Sequence, residues 1–531
     1  MRSASFVTAA LVGALVPAVL SGAVALAAST TYAAETSNNT STCVLGSSPS
    51  PADCAAAFAG QTDNRSGIET PAFDPPGANV SAENIRTLLY PGSTSKVFVN
   101  TMLGFCTPAD STSSSTVPRC NSNVLTQYTA NDTLTVDKHL RDWARRGIDG
   151  GVLDWYGPGS RIDAAALKYQ SEIHNLGLCP LGPQRCQLMY VIMYDGATLK
   201  YPVTPTGIPG TNGNGCALNL AGQSAETCVL GRLKNDICYM NGYHFGNDAY
   251  QKYNGRPILQ FFLDEGAYLN LPKTGAPSWA DVWSNIRQWT NDLATNCAGG
   301  SASSLPYNVN NGVPLLLFEG TGGFSHPQND GAFGWIQPTG NQDDLRISPA
   351  TTGGTVDDFY STAASQAGKL AWGIAYKGFN DSQSAWGENR LIDQRCGQTW
   401  LQSLAAATNY YSSTKQLPFL QIATWNDYNE GTPIEDGIGN CYTVSANVSG
   451  STLNFQATPT NANATQATIS SWLVFDSTDG GANYQQVASM PASAVSYDLS
   501  GLPVGTHKIF VKMVGRADIV NQSSTQLTFS H

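Results

Sequence analysis

The chain has 531 residues, a formal net charge of −11, and only 13% charged residues. That length exceeds what one domain usually holds, and the charged share is about half the usual one. An acidic chain without Lys/Arg clusters argues against a nucleic-acid partner, since phosphate binding needs concentrated positive charge. Its many Gly, Ser, Thr and Asn residues give the neutral polar surface common in secreted proteins.

The N-terminus reads as an export signal. Arg2 precedes an apolar stretch, 6–28, and small residues offer cleavage after Ala27 or Ala33. The stretch is nearly long enough to span a bilayer as an uncleaved anchor. Pro17 and the small-residue exit favour cleavage, so residues 1–33 are assigned to the signal peptide and no membrane contact is expected afterwards. A secreted, extracellular or periplasmic product follows. Twelve cysteines fit an oxidising compartment. Cys43 and Cys54, Cys106 and Cys120, Cys179 and Cys186, and Cys216 and Cys228 lie close in sequence, with Cys238, Cys297, Cys396 and Cys441 besides. They suit loop-stapling disulfides of open connectivity, and Cys396 or another cysteine before it could staple Cys441. No Cys-x-x-Cys pair exists, so zinc is not expected, and nothing calls for a cofactor.

Residues 34–94 lack periodicity and read as an extension. From 95 the chain alternates. Strand 97–102 is followed by helix 133–146, strand 148–155 and helix 162–175. Strands 187–194 and 257–263 flank a long insert, 196–255. Helix 279–295, strands 313–318 and 332–336, helix 356–368, strand 370–376, helix 391–407 and strand 417–424 complete the series. Eight strands mostly separated by helices predict an α/β fold, a (β/α)₈ TIM barrel over 95–441. No Gly-x-Gly-x-x-Gly follows the first strand, which removes the dinucleotide-binding alternative. Residues 442–531 read instead as short strands at 443–448, 452–457, 470–476, 485–488, 508–514 and 526–529. Their spacing predicts a small β-sandwich, immunoglobulin- or fibronectin-like.

In such a barrel the C-terminal strand ends converge on one face. Asp154, Asp195, Asp264, Glu265, Glu319, Asp427 and Glu430 all fall at predicted strand ends. With Trp155, Tyr156, Trp335, Trp425, Asn426 and Tyr428 they would line an acidic, aromatic cleft suited to a neutral polysaccharide or oligosaccharide. Glycosidic cleavage uses two carboxyl groups whose pKa values are pushed apart. Asp427 and Glu430, three residues apart, can face one bound sugar. A lone strand-end carboxylate more often caps the next helix or pairs with an Arg; seven at one rim invite chemistry.

The run Trp425-Asn426-Asp427-Tyr428-Asn429-Glu430 resembles the Trp-Asn-Asp-Tyr-Gly-Glu signature of glycoside hydrolase family 71, the α-1,3-glucanases. Its continuation, Gly431-Thr432-Pro433-Ile434-Glu435, is closer to family 99, the endo-α-mannosidases and mannanases, with Asn-Glu-Trp-His-Glu-Gly-Thr-Gln-Ile-Glu. Gly147-Ile148-Asp149-Gly150 before Asp154-Trp155-Tyr156-Gly157-Pro158, and Asn254-Gly255-Arg256-Pro257, add to the likeness. The resemblance implies that Asp427 and Glu430 are the catalytic pair, with Glu430 the acid. It implies an endo-acting α-glycosidase and, on the family-99 pattern, that Asp427 assists attack by the sugar's own 2-hydroxyl. Asn429 departs from both signatures, and Asp427 is shorter than the family-99 Glu.

Gly320-Thr321-Gly322-Gly323-Phe324-Ser325-His326 lacks a P-loop Lys and a nucleophile elbow, and reads as a substrate-shaping loop. Asn380-Asp381 and 476–481 lack EF-hand spacing and read as turns. The alternative function is a non-catalytic carbohydrate-binding protein on a barrel scaffold.

Overall fold

The computed structural model describes residues 79–105, 128–176, 187–200, 216, 224–263, 265, 271–275, 277–298, 312–338, 355–382, 384 and 387–531. Eight strands are formed by buried, apolar-rich runs: β1 (Lys96–Met102), β2 (Gly150–Trp155), β3 (Met189–Asp195), β4 (Arg256–Phe262), β5 (Leu315–Glu319), β6 (Gly331–Phe333), β7 (Leu370–Ala375) and β8 (Phe419–Ile422). All eight pair in parallel and in chain order; β3–β4 and β8–β1 contacts complete the circle. The barrel is therefore closed, as the alternating pattern predicted.

Helices α1 (Thr133–Arg145), α2 (Arg161–Asn175), α3 (Ala225–Tyr243), α4 (Trp279–Thr290), α5 (Thr355–Ser365) and α6 (Gln398–Ala405) surround it. The first four begin where Asp132, Ser160, Ser224 and Ser278 accept a backbone N–H of the first turn, satisfying a donor the helix cannot. Helix α3 lies within the insert without a clear apolar period, because its buried face carries Asp236 and Asn241. The expected helix 391–407 is shortened. Arg395, Cys396 and Gly397 have φ of 45°, 54° and 89°, which breaks it, and Leu391–Ile392 pairs with Phe379–Asn380 instead.

The barrel interior is packed. Near its N-terminal end Trp372 stacks on Phe419 at 4.4 Å, and Phe98 meets Trp372 edge-on at 5.0 Å. One level up, Gln260 of β4 donates to Gln421 of β8 across the barrel at 3.2 Å. The Asn100 amide approaches Met193 Sδ at 3.6 Å at a similar level.

The C-terminal region forms two antiparallel sheets. One contains β9 (Tyr442–Ser449), β10 (Thr452–Pro459) and β13 (Ser496–Asp498). The other contains β11 (Ile469–Ser477), β12 (Gln485–Pro491), β14 (Thr506–Gly515), β15 (Gln522–Ser523) and β16 (Leu527–Ser530). Leu453, Phe455, Trp472, Val474, Val511 and Met513 share the core of this region. The turn after β14 leaves it: Ala517 and Ile519 are fully buried in the barrel's cluster. Disulfides join Cys216–Cys228, Cys238–Cys297 and Cys396–Cys441, the last linking barrel to sheets. The other six cysteines lie outside the described residues.

Candidate active site

Side-chain alternation decides which strand-end groups face the barrel axis. On β2 a Cβ at Gly151 would strike Trp143 of α1, and Trp155 donates its indole N–H to Asp163 of α2 at 2.9 Å. Those positions face the helices, so Asp154 between Leu153 and Trp155 faces inward, 2% exposed. On β3 Tyr194 bonds Asp236 of α3, on β4 Phe261 packs on Trp283 of α4, and on β5 Phe318 does the same. Asp195, Phe262 and Glu319 then follow the inward face. Phe262 and Trp335, both partly exposed, meet at 4.9 Å and form an aromatic wall at this mouth.

The loop after β8 carries Asp427 and Glu430. Asn426 pins its entry: its Oδ1 accepts the Met102 N–H at 2.8 Å, and its Nδ2 donates to the Met102 carbonyl at 3.1 Å. Met102 is the β1 neighbour of Asp154, so the loop enters beside that inward carboxylate. The far side is held by Asn380, whose N–H donates to the Glu430 carbonyl at 2.7 Å, and by Ser384, which donates to the Asn429 carbonyl at 2.8 Å. Gly431 has φ of 64° and a Cβ there would lie 3.1 Å from Asn380, so a side chain would crowd this turn. Asp427 is 5% exposed; its Oδ1 accepts the N–H groups of Asn429 and Glu430, each at 3.1 Å. Glu430 is half-buried.

Several expected substrate contacts take other roles. Trp155 and Trp425 are fully buried and face the helices; the Trp425 ring meets His139 and Trp143 of α1 and lies under the Arg146 guanidinium at 4.9 Å. Neither offers a face to a sugar. Trp155 has the helix-facing parity of Gly151, whereas Trp425 lies past the end of β8 and its loop turns it onto α1. Asn426 is spent on Met102, and Asp195 accepts the Ala197 N–H at 2.6 Å, starting the next turn. Glu265 Oε1 accepts from Trp283 Nε1 and lies 3.2 Å from His326 Nε2, turned toward α4. Asp264 lies outside the described residues. Tyr156 is 6% exposed, close to the rim. Asp381 accepts the N–H groups of Glu388 and Arg390 and so builds a turn.

Behind the loop lies a network that sequence reading did not find. Glu435 Oε1 meets His139 Nε2 at 2.9 Å, while its Oε2 accepts from Tyr128 at 3.0 Å and Tyr428 at 3.1 Å. Burial alone would raise the Glu435 carboxyl, but His139 and the hydrogen bonds hold it below its ordinary value. Burial and the Glu435 charge push the Tyr128 and Tyr428 phenols well above theirs, so both remain neutral donors. Lys377, just past β7, is lowered to about 8 by burial, with Asp436 opposing. It stands at a strand end as the acids do, but a lone lysine there carries no paired-carboxylate signal. Among the described residues no cluster of three or more His, Cys, Asp or Glu could hold a metal.

No family model matches the chain, and no curated protein matches it. Among solved structures it is similar to the GH99 endo-alpha-mannosidase from Bacteroides thetaiotaomicron, with 13% identity and a TM-score of 0.41 over 65% of this chain and 88% of that one. It is also similar to a glycoside hydrolase-like protein, with 15% identity and a TM-score of 0.43 over 71% and 92% of the two chains. A glycoside hydrolase family 5 from Bacteroides vulgatus shares 10% identity at a TM-score of 0.28, over 72% and 86%.

Proposed function

We propose that the chain is a secreted glycoside hydrolase that cleaves an α-linked polysaccharide, an α-glucan or an α-mannan, at internal bonds with Asp427 and Glu430 as its paired carboxyls. The observation that carries this reading is the loop after β8. It brings Asp427 and the half-buried Glu430 to the mouth of a closed barrel, between Met102 and Asn380, beside the inward-facing Asp154. Glu430 is the general acid that protonates the departing glycosidic oxygen. Asp427, oriented by two backbone N–H groups, assists attack by water or by the sugar's 2-hydroxyl. Phe262 and Trp335 supply a ring face for a pyranose, and Asp154 and Glu319 supply hydroxyl acceptors. Three disulfides suit an exported protein, and no described helix is long and apolar enough to cross a membrane.

One observation favours the second reading, a non-catalytic carbohydrate-binding protein: Asp427 Oδ1 already builds the turn of its own loop. Incubating the purified chain with α-1,3-glucan, α-mannan and a β-linked control separates the two. The glycosidase reading expects reducing ends and oligosaccharides from an α-linked polymer alone. Adsorption to the polymer with no reducing-end release would favour the binding protein.

A further inference from the structure

The charged side chain at the C-cap of α1 touches both ends of the β8 loop. Arg146 is 6% exposed, and its guanidinium lies over the Trp425 ring where the loop begins. Where the loop ends, Nη1 donates to the Ile434 carbonyl at 3.0 Å and Nη2 to the Glu435 carbonyl at 2.8 Å. The same ends are tied by backbone bonds from Ile434 and Glu435 to the Trp425 carbonyl, at 3.1 and 3.0 Å. Arg146 thus closes the neck of the loop that carries Asp427 and Glu430.

A buried guanidinium is costly unless a counter-charge accompanies it. The carboxylate paired with Arg146 comes from the C-terminal sheets: Asp518 Oδ1 lies 3.4 Å from Nη1, and the Asp518 side chain is fully buried. Asp518 sits at φ of 63°, a conformation Asp and Asn tolerate. Its turn is seated firmly. Ile438 donates to the Asp518 carbonyl at 2.9 Å, and Trp400 of α6 donates to the Ala517 carbonyl at 2.9 Å. Residues 516–521 therefore bridge α1 and α6. A closing helix after the eighth strand would pack between these two helices in a regular barrel. No helix follows β8 before β9, and the turn packs there together with the 3-10 helix Ile85–Leu88, whose Ile85 N–H donates to the Arg146 carbonyl at 3.0 Å.

We infer that the C-terminal sheets are a positioning element for the candidate catalytic loop, acting through Asp518 and Arg146. The inference rests on the proposed function for its effect on turnover, but its structural half stands apart. Asp518 and Arg146 are positioning residues: they fix the neck of the loop and touch no substrate.

Hydrogen exchange and kinetics on the full chain at pH 7.5 test it. Asp518→Asn keeps the backbone conformation and shape while removing the paired charge, leaving Asp142 of α1 as the other carboxylate near Arg146. The expected result is at least tenfold faster exchange of the 424–436 amides, and a roughly tenfold lower kcat with KM nearly unchanged. Arg146→Lys, which keeps the charge but not both carbonyl bonds, should move the same amides further. Trp472→Phe, inside the sheet core, is the control and should leave exchange at 424–436 and kcat as in the wild type. Unchanged exchange in Asp518→Asn and Arg146→Lys would overturn the inference. A wild type inactive on every α-linked polymer would sink the glycosidase reading alone, because exchange at 424–436 would still decide the positioning claim.

Discussion

At its N-terminal end the barrel interior is closed by packed rings, Phe98, Trp372 and Phe419, whereas its C-terminal end presents Asp154, Glu319 and the partly exposed pair Phe262 and Trp335. The same strands build both ends. Between them the Gln260–Gln421 bond spans the barrel and fills its middle. Packing is concentrated at one end, so the other can hold carboxylates that a dry core would not tolerate. The difference teaches that stability and chemistry should respond to different substitutions.

That separation can be broken in four ways. Asp427→Asn keeps a carbonyl oxygen to accept the Asn429 and Glu430 N–H groups but removes the charge. Turnover should fall by about 10²–10⁴-fold while the melting temperature holds, measured by reducing-end release and calorimetry. Trp372→Ala should do the reverse, costing about 3–5 kcal/mol of stability in denaturant unfolding. KM at temperatures below the new transition should change little; a large KM change would mean that the two ends are coupled.

Smaller effects sharpen the picture at the join between barrel and sheets. Replacing Cys396 and Cys441 together by Ser removes a cross-link of sequence separation 45 and should cost about 2–4 kcal/mol, read as a shift in the urea midpoint under oxidising conditions. The smallest effect concerns pH. Asp518 is raised to about 6 by burial, against the attraction of Arg146 and with a further push from Glu83. The folded state therefore holds a proton that the unfolded chain has released, and this contribution to stability is lost as pH rises from about 4 to 6. Urea midpoints of Asp518→Asn across that range should fall less, or rise more, with pH than those of the wild type.

Much of this was legible because strand period and strand ends are local signals. Asp154 and Glu319 were found at predicted strand ends, and alternation turns both inward. The same rule misplaces Trp155, which has the parity of helix-facing Gly151, and Trp425, which lies past the end of β8 and is turned onto α1 by its loop. The support behind the loop had no local signature. Glu435 meets His139 across 296 residues, and Arg146 meets Asp518 across 372. Only folding brings such partners together. Helix α3 was hidden for a related reason: buried Asp236 is satisfied by Tyr194 and Arg232, contacts that the apolar period does not encode.

The most direct test of the central claim compares wild type with Glu430→Gln on α-1,3-glucan and α-mannan, measuring reducing-end release and adsorption to the polymer together. The account predicts release by the wild type, loss of release in Glu430→Gln, and equal adsorption by both. Equal release by the two proteins would contradict it and remove Glu430 from the acid role.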